Sequence, residues 1–376
     1  MDDTPPYLAA AGFSLPEPDP DTLTVALVVP LRGPAGVFGP SCELAARLAV
    51  AELNEADGIL GRQVRLLTVD GGGEPRRVAA EVEALITFGV VDAVVGWHIS
   101  AVRRALVPRI AGRVPYVYTA QYEGGERAPG VFVTGETPAS QLLPAMRLLA
   151  ASAGVRSWCV VGNDYSWPRL TALVARRYAR ACGAMIRGEV FVPLGTDDFR
   201  DTIRRIERSE ADAVLMLLIG ADAVGFNRAF TEHGLHTRVL RLSTHMDENM
   251  LLAAGAGAGE NLWAAAGYFE TLATAESLEF NGRYTSRFGA EAPPLSSLGE
   301  SCYEGIRLLA ALAAHAGTLD VRALARVADR VRFDSPRGRL NLRKNHVAQR
   351  IYLARADVFD FDIVAQLDTD PSEPPP

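Results

Sequence analysis

The 376-residue sequence predicts an α/β protein folded as two Rossmann-like lobes. Three observations lead there. The length exceeds one ordinary domain. Short continuous apolar runs alternate with segments of helical apolar period, the pattern of parallel strands covered on both faces by helices. The runs are also more numerous than one sheet holds comfortably.

Residues 24–30 (TVALVVP) read as a first buried strand. A helix is expected from 40 to 57, with Leu44, Ala45, Leu48 and Ala51 on one face and Gly58 as its stop. A strand at 63–70 ends in Gly71-Gly72-Gly73, and Pro75 suits the first position of the next helix. The unit repeats with a strand at 91–96, a helix at 100–111 and a strand at 114–119. After the turn-rich Glu123-Gly124-Gly125, strands are expected at 131–134, 157–162, 184–192, 213–219 and 239–244. Helices fall at 138–153, 166–182, 197–209 and 221–233. In the helix from Trp167, Leu170, Leu173, Val174 and Tyr178 share a face; Asp197 and Asp198 suit the first turn of the next. Helices at 278–288, 298–316 and 321–327 follow, then strands at 339–342, 350–354 and 358–364. The expected first lobe is 22–121 with 248–331, and the second is 122–247 with 332–368. The chain then crosses between lobes three times, and 1–21 and 369–376 are flexible ends.

Composition removes several functions. The formal charge of −7 argues against a direct grip on nucleic acid or anionic lipid. No apolar run approaches the ~20 residues of a membrane helix. Lys344 is the single lysine among 38 basic residues and has no Gly-rich cup beside it, which removes P-loop and Schiff-base chemistry. Gly299-Glu-Ser-Cys-Tyr303 lacks the second glycine of a nucleophile elbow. The loop after the first strand, with Gly33, Gly36 and Gly39, has the wrong spacing for a dinucleotide. His233 and His236 flank a helix stop and lack an acidic partner with metal spacing. The expectation is a protein that is not an enzyme and has no cofactor or metal. Cys42, Cys159, Cys182 and Cys302 are widely spaced, and the acidic start Met1-Asp2-Asp3 lacks the basic region of a secretory signal. Both favour the cytoplasm.

In parallel sheets ligands bind beyond the C-terminal strand ends. Those ends carry Trp97-His98-Ile99-Ser100, Tyr118-Thr119-Ala120-Gln121-Tyr122, Asn163-Asp164-Tyr165-Ser166-Trp167, Gly220-Ala221-Asp222 and Thr244-His245-Met246-Asp247. Rings and hydroxyls prevail over acid–base pairs, a lining suited to a small polar molecule. The candidate contacts are His98, Ser100, Tyr118, Thr119, Tyr165, Trp167, Gly220, Thr244 and Asp247. Ser100 reads equally as a helix N-cap. Packing between lobes is the other reading for Tyr118, Tyr165 and Trp167, and a solvated loop for Asp247 and Glu248.

The segments VGWHISAVRRALVPRI (95–110), YVYTAQYEG (116–124), GNDYSWPR (162–169) and DSPRGRLNLRKNHVAQR (334–350) resemble the type I periplasmic-binding-protein fold. The likeness is to amide-sensing regulators of the AmiC type and to urea- or short-chain-amide-binding proteins, over about 25–364. It implies two lobes closing on a small ligand without catalysis. By that resemblance Ser100, Tyr118 and Tyr165 stand at ligand contacts. His98 and Trp167 replace expected tyrosines, and Ala120 replaces an expected threonine, with Thr119 adjacent. Amino-acid receptors of the same fold need an acid for the ligand ammonium, which Asp247 or Glu248 could supply.

The leading expectation is a cytoplasmic sensor of an amide, urea or amino acid that acts on a regulatory partner, by resemblance an antitermination protein. A homo-oligomer is also expected. The alternative is the substrate-binding component of an ABC importer for amides, urea or amino acids.

Overall fold

The computed structural model describes residues 19–368. The expected flexible stretches 1–18 and 369–376 lie outside these residues, as does the acidic start. Residues 19–21 form a turn in which Asp19 accepts the Thr22 hydroxyl at 2.7 Å.

The first sheet opens with β1 (Thr22–Val29), whose Leu23 and Val25–Val29 are fully buried. Then come α1 (Gly39–Glu55), β2 (Gln63–Asp70), α2 (Pro75–Thr87), β3 (Ala93–Gly96), α3 (Ser100–Ile110), β4 (Tyr116–Tyr118) and β5 (Val131–Val133). The Glu74 carboxylate accepts the Arg76 and Arg77 amides and so starts α2 beside Pro75. The second series is α4 (Pro138–Ser152), β6 (Ser157–Asn163), α5 (Ser166–Ala181), β7 (Met185–Val192), α6 (Arg200–Ser209), β8 (Ala213–Leu217), α7 (Gly220–Glu232), β9 (Leu240–Ser243), α8 (Glu248–Ala254) and β10 (Leu262–Ala266). After it come α9 (Ala275–Phe288), α10 (Ser297–Ala316), α11 (Val321–Val327), β11 (Arg332–Ser335), β12 (Gly338–Arg343), β13 (His346–Ala348), β14 (Ile351–Asp357) and β15 (Asp360–Leu367).

The strands form two sheets, ordered β11-β12-β13-β5-β4-β3-β1-β2 and β15-β14-β10-β9-β8-β6-β7. The two-lobe α/β expectation holds, with three chain passages between sheets. The expected lobe boundaries shift, however. β5 pairs with β4 through Tyr116↔Val131, so the Glu123 turn returns the chain to the first sheet. The passage comes only after Val133. β10 pairs with β9 and belongs to the second sheet, whereas β11–β13 join the first. Two local expectations also change. α6 begins at Arg200, with Asp198 bonded to the Arg200 amide ahead of it and Asp201 in the first turn. Leu170 and Leu173 face outward, and α5 packs through Trp167, Thr171, Ala175 and Tyr178.

α10 lies across the first sheet and against α1. Ser296 caps it, and Gly317 closes it in the left-handed region with φ 68°. A β-carbon on Gly299 would stand 2.3 Å from Ser41 Oγ of α1, and one on Gly305 would stand 2.5 Å from Thr119 Cγ2. These two glycines let the helix settle close to its neighbours.

The passages between sheets are 134–137, 267–274 and 349–350. Glu136 in the first accepts the Gly267 amide of the second at 2.8 Å, and Gln349 of the third donates to Thr134 O of the first at 3.2 Å. Arg337, in the β11–β12 turn, lies beside them. Its Nε donates to Glu304 at 3.0 Å, and it stands 3.4 Å from Glu300 and 3.6 Å from Glu136. Burial, partly offset by Arg337, pushes the Glu300 carboxyl up, and Glu304 and Glu136 add to the rise.

Two glycine substitutions test this packing. Gly299→Ala should lower stability by about 1–3 kcal/mol in urea unfolding, because Ser41 must move. Gly282→Ala, on an open face of α9 with no atom within 4 Å, should raise it by up to about 1 kcal/mol.

Candidate ligand-binding cleft

The C-terminal ends of both sets of parallel strands point into the space between the lobes. Loops from the two sides touch there. Gln121 after β4 donates from Nε2 to Thr244 Oγ1 at 3.0 Å and also reaches His245 Nδ1. The Trp97 ring meets His245 edge-on at 5.9 Å, and Trp167 meets it at 4.4 Å. The Ala221 amide donates to Pro34 O at 2.8 Å. Gly220 holds φ 51°, and a β-carbon there would lie 1.9 Å from Pro34 O. A side chain would therefore separate the two backbones.

A polar shelf lines the first-lobe side. Ile99 is the N-cap residue of α3, so Ser100 is not the cap. Its hydroxyl instead donates to Glu123 Oε2 at 2.6 Å. Arg103, one turn on, donates to Glu123 Oε1 at 2.8 Å and pairs with Glu126. Its guanidinium also lies 5.5 Å from the Tyr118 ring centre and 5.0 Å from that of Tyr122. Tyr165 approaches from the second lobe, half-buried, with its ring 6.4 Å from Trp167. Burial raises its phenol pKa, and the neighbouring Tyr118 phenol and Glu123 carboxylate raise it further.

Some expected contacts point elsewhere. The His98 ring is packed inside the first lobe, between Tyr116 OH at 2.9 Å on Nε2 and Ile99 O at 3.3 Å on Nδ1. Burial lowers its pKa to about 3, so it is neutral. Its carbonyl accepts the Tyr118 hydroxyl at 2.9 Å. Thr119 turns under the sheet to Ser301, 3.2 Å away on α10. Thr244 is held by Gln121 through its hydroxyl and by Gln141 through its carbonyl. Asp247 and Glu248 are buried, not in a solvated loop. Asp247 Oδ1 caps α8 by accepting the Met250 amide at 2.9 Å, while its Oδ2 makes no hydrogen bond. Glu248 Oε1 accepts the Glu270 amide at 2.8 Å and tethers the second passage.

The sequence reasoning missed Glu123, Arg103 and Pro34 as parts of this site. Glu123 precedes two glycines and read only as a turn. Arg103 lay within a helix whose apolar stripe drew the attention. For Arg103 the one available signal was its i, i+3 spacing from Ser100, which puts both on one helix face.

A family model described as periplasmic binding protein matches residues 22–361. The chain belongs to this family. It is 25% identical over 351 residues to Leu/Ile/Val-binding protein homolog 6 of Brucella melitensis, covering 90% of this chain and 89% of that one. A solute-binding protein of an ABC transporter from Rhodopseudomonas palustris, solved with p-hydroxybenzoic acid, superposes with a TM-score of 0.83 at 22% identity, over 94% of this chain and 98% of that one. The branched-chain amino acid transporter substrate-binding protein of Streptococcus pneumoniae, solved with isoleucine, gives 0.78 at 19% identity, over 92% and 99%.

These findings overturn the expectation of a cytoplasmic protein. The family is that of periplasmic binding proteins; of the two grounds for the expectation, the acidic start lies outside the described residues and the four widely spaced cysteines do not fix a compartment. The likeness to amide-sensing regulators is finer than what the matches support. No single helix among the described residues is long and apolar enough to cross a membrane.

Asp247 supplies a pH test. Burial raises its pKa from 3.8 to about 6, against hydrogen bonds that lower it. An acid whose folded pKa is raised stabilises the fold fully below its unfolded pKa and loses that contribution as pH rises through the folded value. The loss is on the order of 3 kcal/mol. Asn also caps helices, so Asp247→Asn removes the titration and keeps the cap. Its melting temperature relative to the parent should climb between pH 4 and 7.5; a constant offset would contradict the assignment.

Proposed function

We propose that the protein is the substrate-binding component of an ABC importer and closes on a small polar molecule between its lobes. The observation that carries this reading is the cleft itself. Two lobes joined by three short passages meet through few contacts, around rings and hydroxyls that come from both sides. The relatives' names support a transport receptor over the regulatory sensor. The relatives were solved with a substituted benzoate and with isoleucine, and the sequence motifs resemble those of amide- and urea-binding proteins; all of these support a ligand of that size.

Closure follows from differential contact. A ligand touching Ser100 and Tyr118 on one lobe and Tyr165 and Trp167 on the other binds the closed form more tightly and shifts the population toward it. Moving the balance from mostly open to mostly closed takes about 5.5 kcal/mol of differential affinity. A few hydrogen bonds and the burial of one ring are of that order.

A thermal-shift screen of amides, urea, neutral amino acids and benzoates tests the reading. A true ligand at 100 times its Kd stabilises by about 2.7 kcal/mol. Tyr165→Ala and Ser100→Ala should each weaken the hit at least about tenfold, and Leu173→Ala, on the exposed face of α5, should not. Fractionation of the host should find the protein outside the cytosol; a purely cytosolic pool would contradict the receptor reading.

A further inference from the structure

We propose that Glu123 sets the charge class of the ligand: the cleft takes a molecule that presents N–H donors, and it rejects a carboxylate at the Ser100 shelf. This inference rests on the receptor reading and deepens it.

The geometry begins at the N-terminal turn of α3. Its end faces the second lobe and, left free, would favour an anion. Here an internal anion stands at that turn. Glu123 Oε2 takes the Ser100 hydroxyl at 2.6 Å, and Oε1 takes Arg103 at 2.8 Å. The Glu123 side chain keeps 9% of its surface, so its charge is little screened by water. A ligand carboxylate approaching Ser100 would have to displace Glu123 or sit beside it. Like charges held so close cost several kcal/mol.

Arg103 does not reverse this. It is shared between Glu123 and Glu126, one cation against two acids. Arg104 stands 3.7 Å from Glu123 Oε1 but is 55% exposed, so solvent weakens its effect. The two histidines of the strand-end loops add no charge, since burial holds both neutral. Across the cleft the buried ionisable groups are again acids. Asp222 accepts the Gly195 amide at 2.9 Å, and Asp247 keeps one oxygen without a partner.

Glu123 also retains the means to receive a donor. A carboxylate oxygen has two lone pairs, and Oε2 uses one of them on Ser100. An N–H aimed at the other completes the group. The donor can come from an ammonium or from a neutral carboxamide, and the same chemistry serves both. Tyr165 stands opposite, close enough for the Glu123 charge to act on its phenol.

Matched sets of one shape separate these cases: benzoate, benzamide and benzylamine, and 3-methylbutanoate, 3-methylbutanamide and 3-methylbutylamine. Affinity is read by calorimetry at pH 7.5 for the parent and for Glu123→Gln, with circular dichroism confirming the variant's fold. In the parent, the amide or the amine of a set should bind roughly 100-fold or more tightly than the carboxylate. Amine above amide marks a cationic ligand, and amide above amine a neutral one; either supports the proposal. In Glu123→Gln the gap to the carboxylate should shrink at least about tenfold. A parent that prefers the carboxylate overturns the proposal and leaves the receptor reading standing, and that measurement needs no variant. A folded variant with an unchanged gap overturns it as well. If no member of either set, and no compound of the wider screen, binds the parent, the receptor reading falls and the proposal with it.

Discussion

One guanidinium holds the architecture at its narrowest point. Arg337 is buried among Glu136, Glu300 and Glu304, with the Ser335 hydroxyl completing Glu304 at 2.6 Å. Three carboxylates around one cation would leave a net negative charge in a dry site, which is costly. Burial and the neighbouring carboxylates push the Glu300 carboxyl up, which eases this cost. What the cluster ties together is specific. Glu300 and Glu304 come from α10 of the first lobe, Arg337 from the β11–β12 turn, and Glu136 from the first passage. Glu136 in turn carries the Gly267 amide of the second passage. A β-carbon on Gly267 would lie 2.3 Å from Arg337 Nη1, so a side chain there would push on the ends of the cluster's side chains.

The consequence is a division of labour between pivot and mouth. At the pivot the bonds are charged and dry, and removing one partner would strand the others. At the mouth they are neutral: Gln121 to Thr244 and His245, Ala221 to Pro34, and Asn249 to Pro294. Each of those can be exchanged for a bond to water at little cost. The lobes therefore have one place where relative motion is expensive and another where it is cheap, which is the condition for hinge closure around a ligand. The rings of Trp97, Trp167 and His245 interlock on the cheap side, where a ligand ring could replace a protein one.

Much of this was legible in the sequence, and the gaps have physical causes. Strands such as Gln63–Asp70 and helices such as Val321–Val327 show in local period and in stop residues, and both stand where the sequence places them. Sheet membership is not local. β5, β10 and β11–β13 went to unexpected lobes because pairing partners lie far away in the chain, and a glycine-rich turn looks the same whether the chain stays or crosses. Side-chain direction was also hidden. Thr119 and Tyr118 are neighbours on one strand end, and the alternation of a strand sends one toward α10 and the other to the opposite face, under Arg103 of α3. Ser100 was expected as a cap or a ligand contact; it is not the cap, and its hydroxyl donates to Glu123, a residue whose place next to two glycines concealed it.

The same distinction governs how far relatives speak for this chain. Identities near 20% with high superposition show a shared scaffold, and ligand choice resides in loops that the scaffold tolerates changing. Net charge is an equally poor guide. The sum of −7 is spread over a surface where charges more than ~8 Å apart are largely screened in physiological salt. A ligand in the cleft responds instead to the few groups that water does not reach. There the count is one arginine, already matched, against Glu123, Glu126, Asp222 and Asp247. Two proteins with one fold and similar overall charge can thus take opposite ligands, depending on whether the first turn of α3 offers its amides and Ser100 to an incoming anion or has already bound an anion of its own.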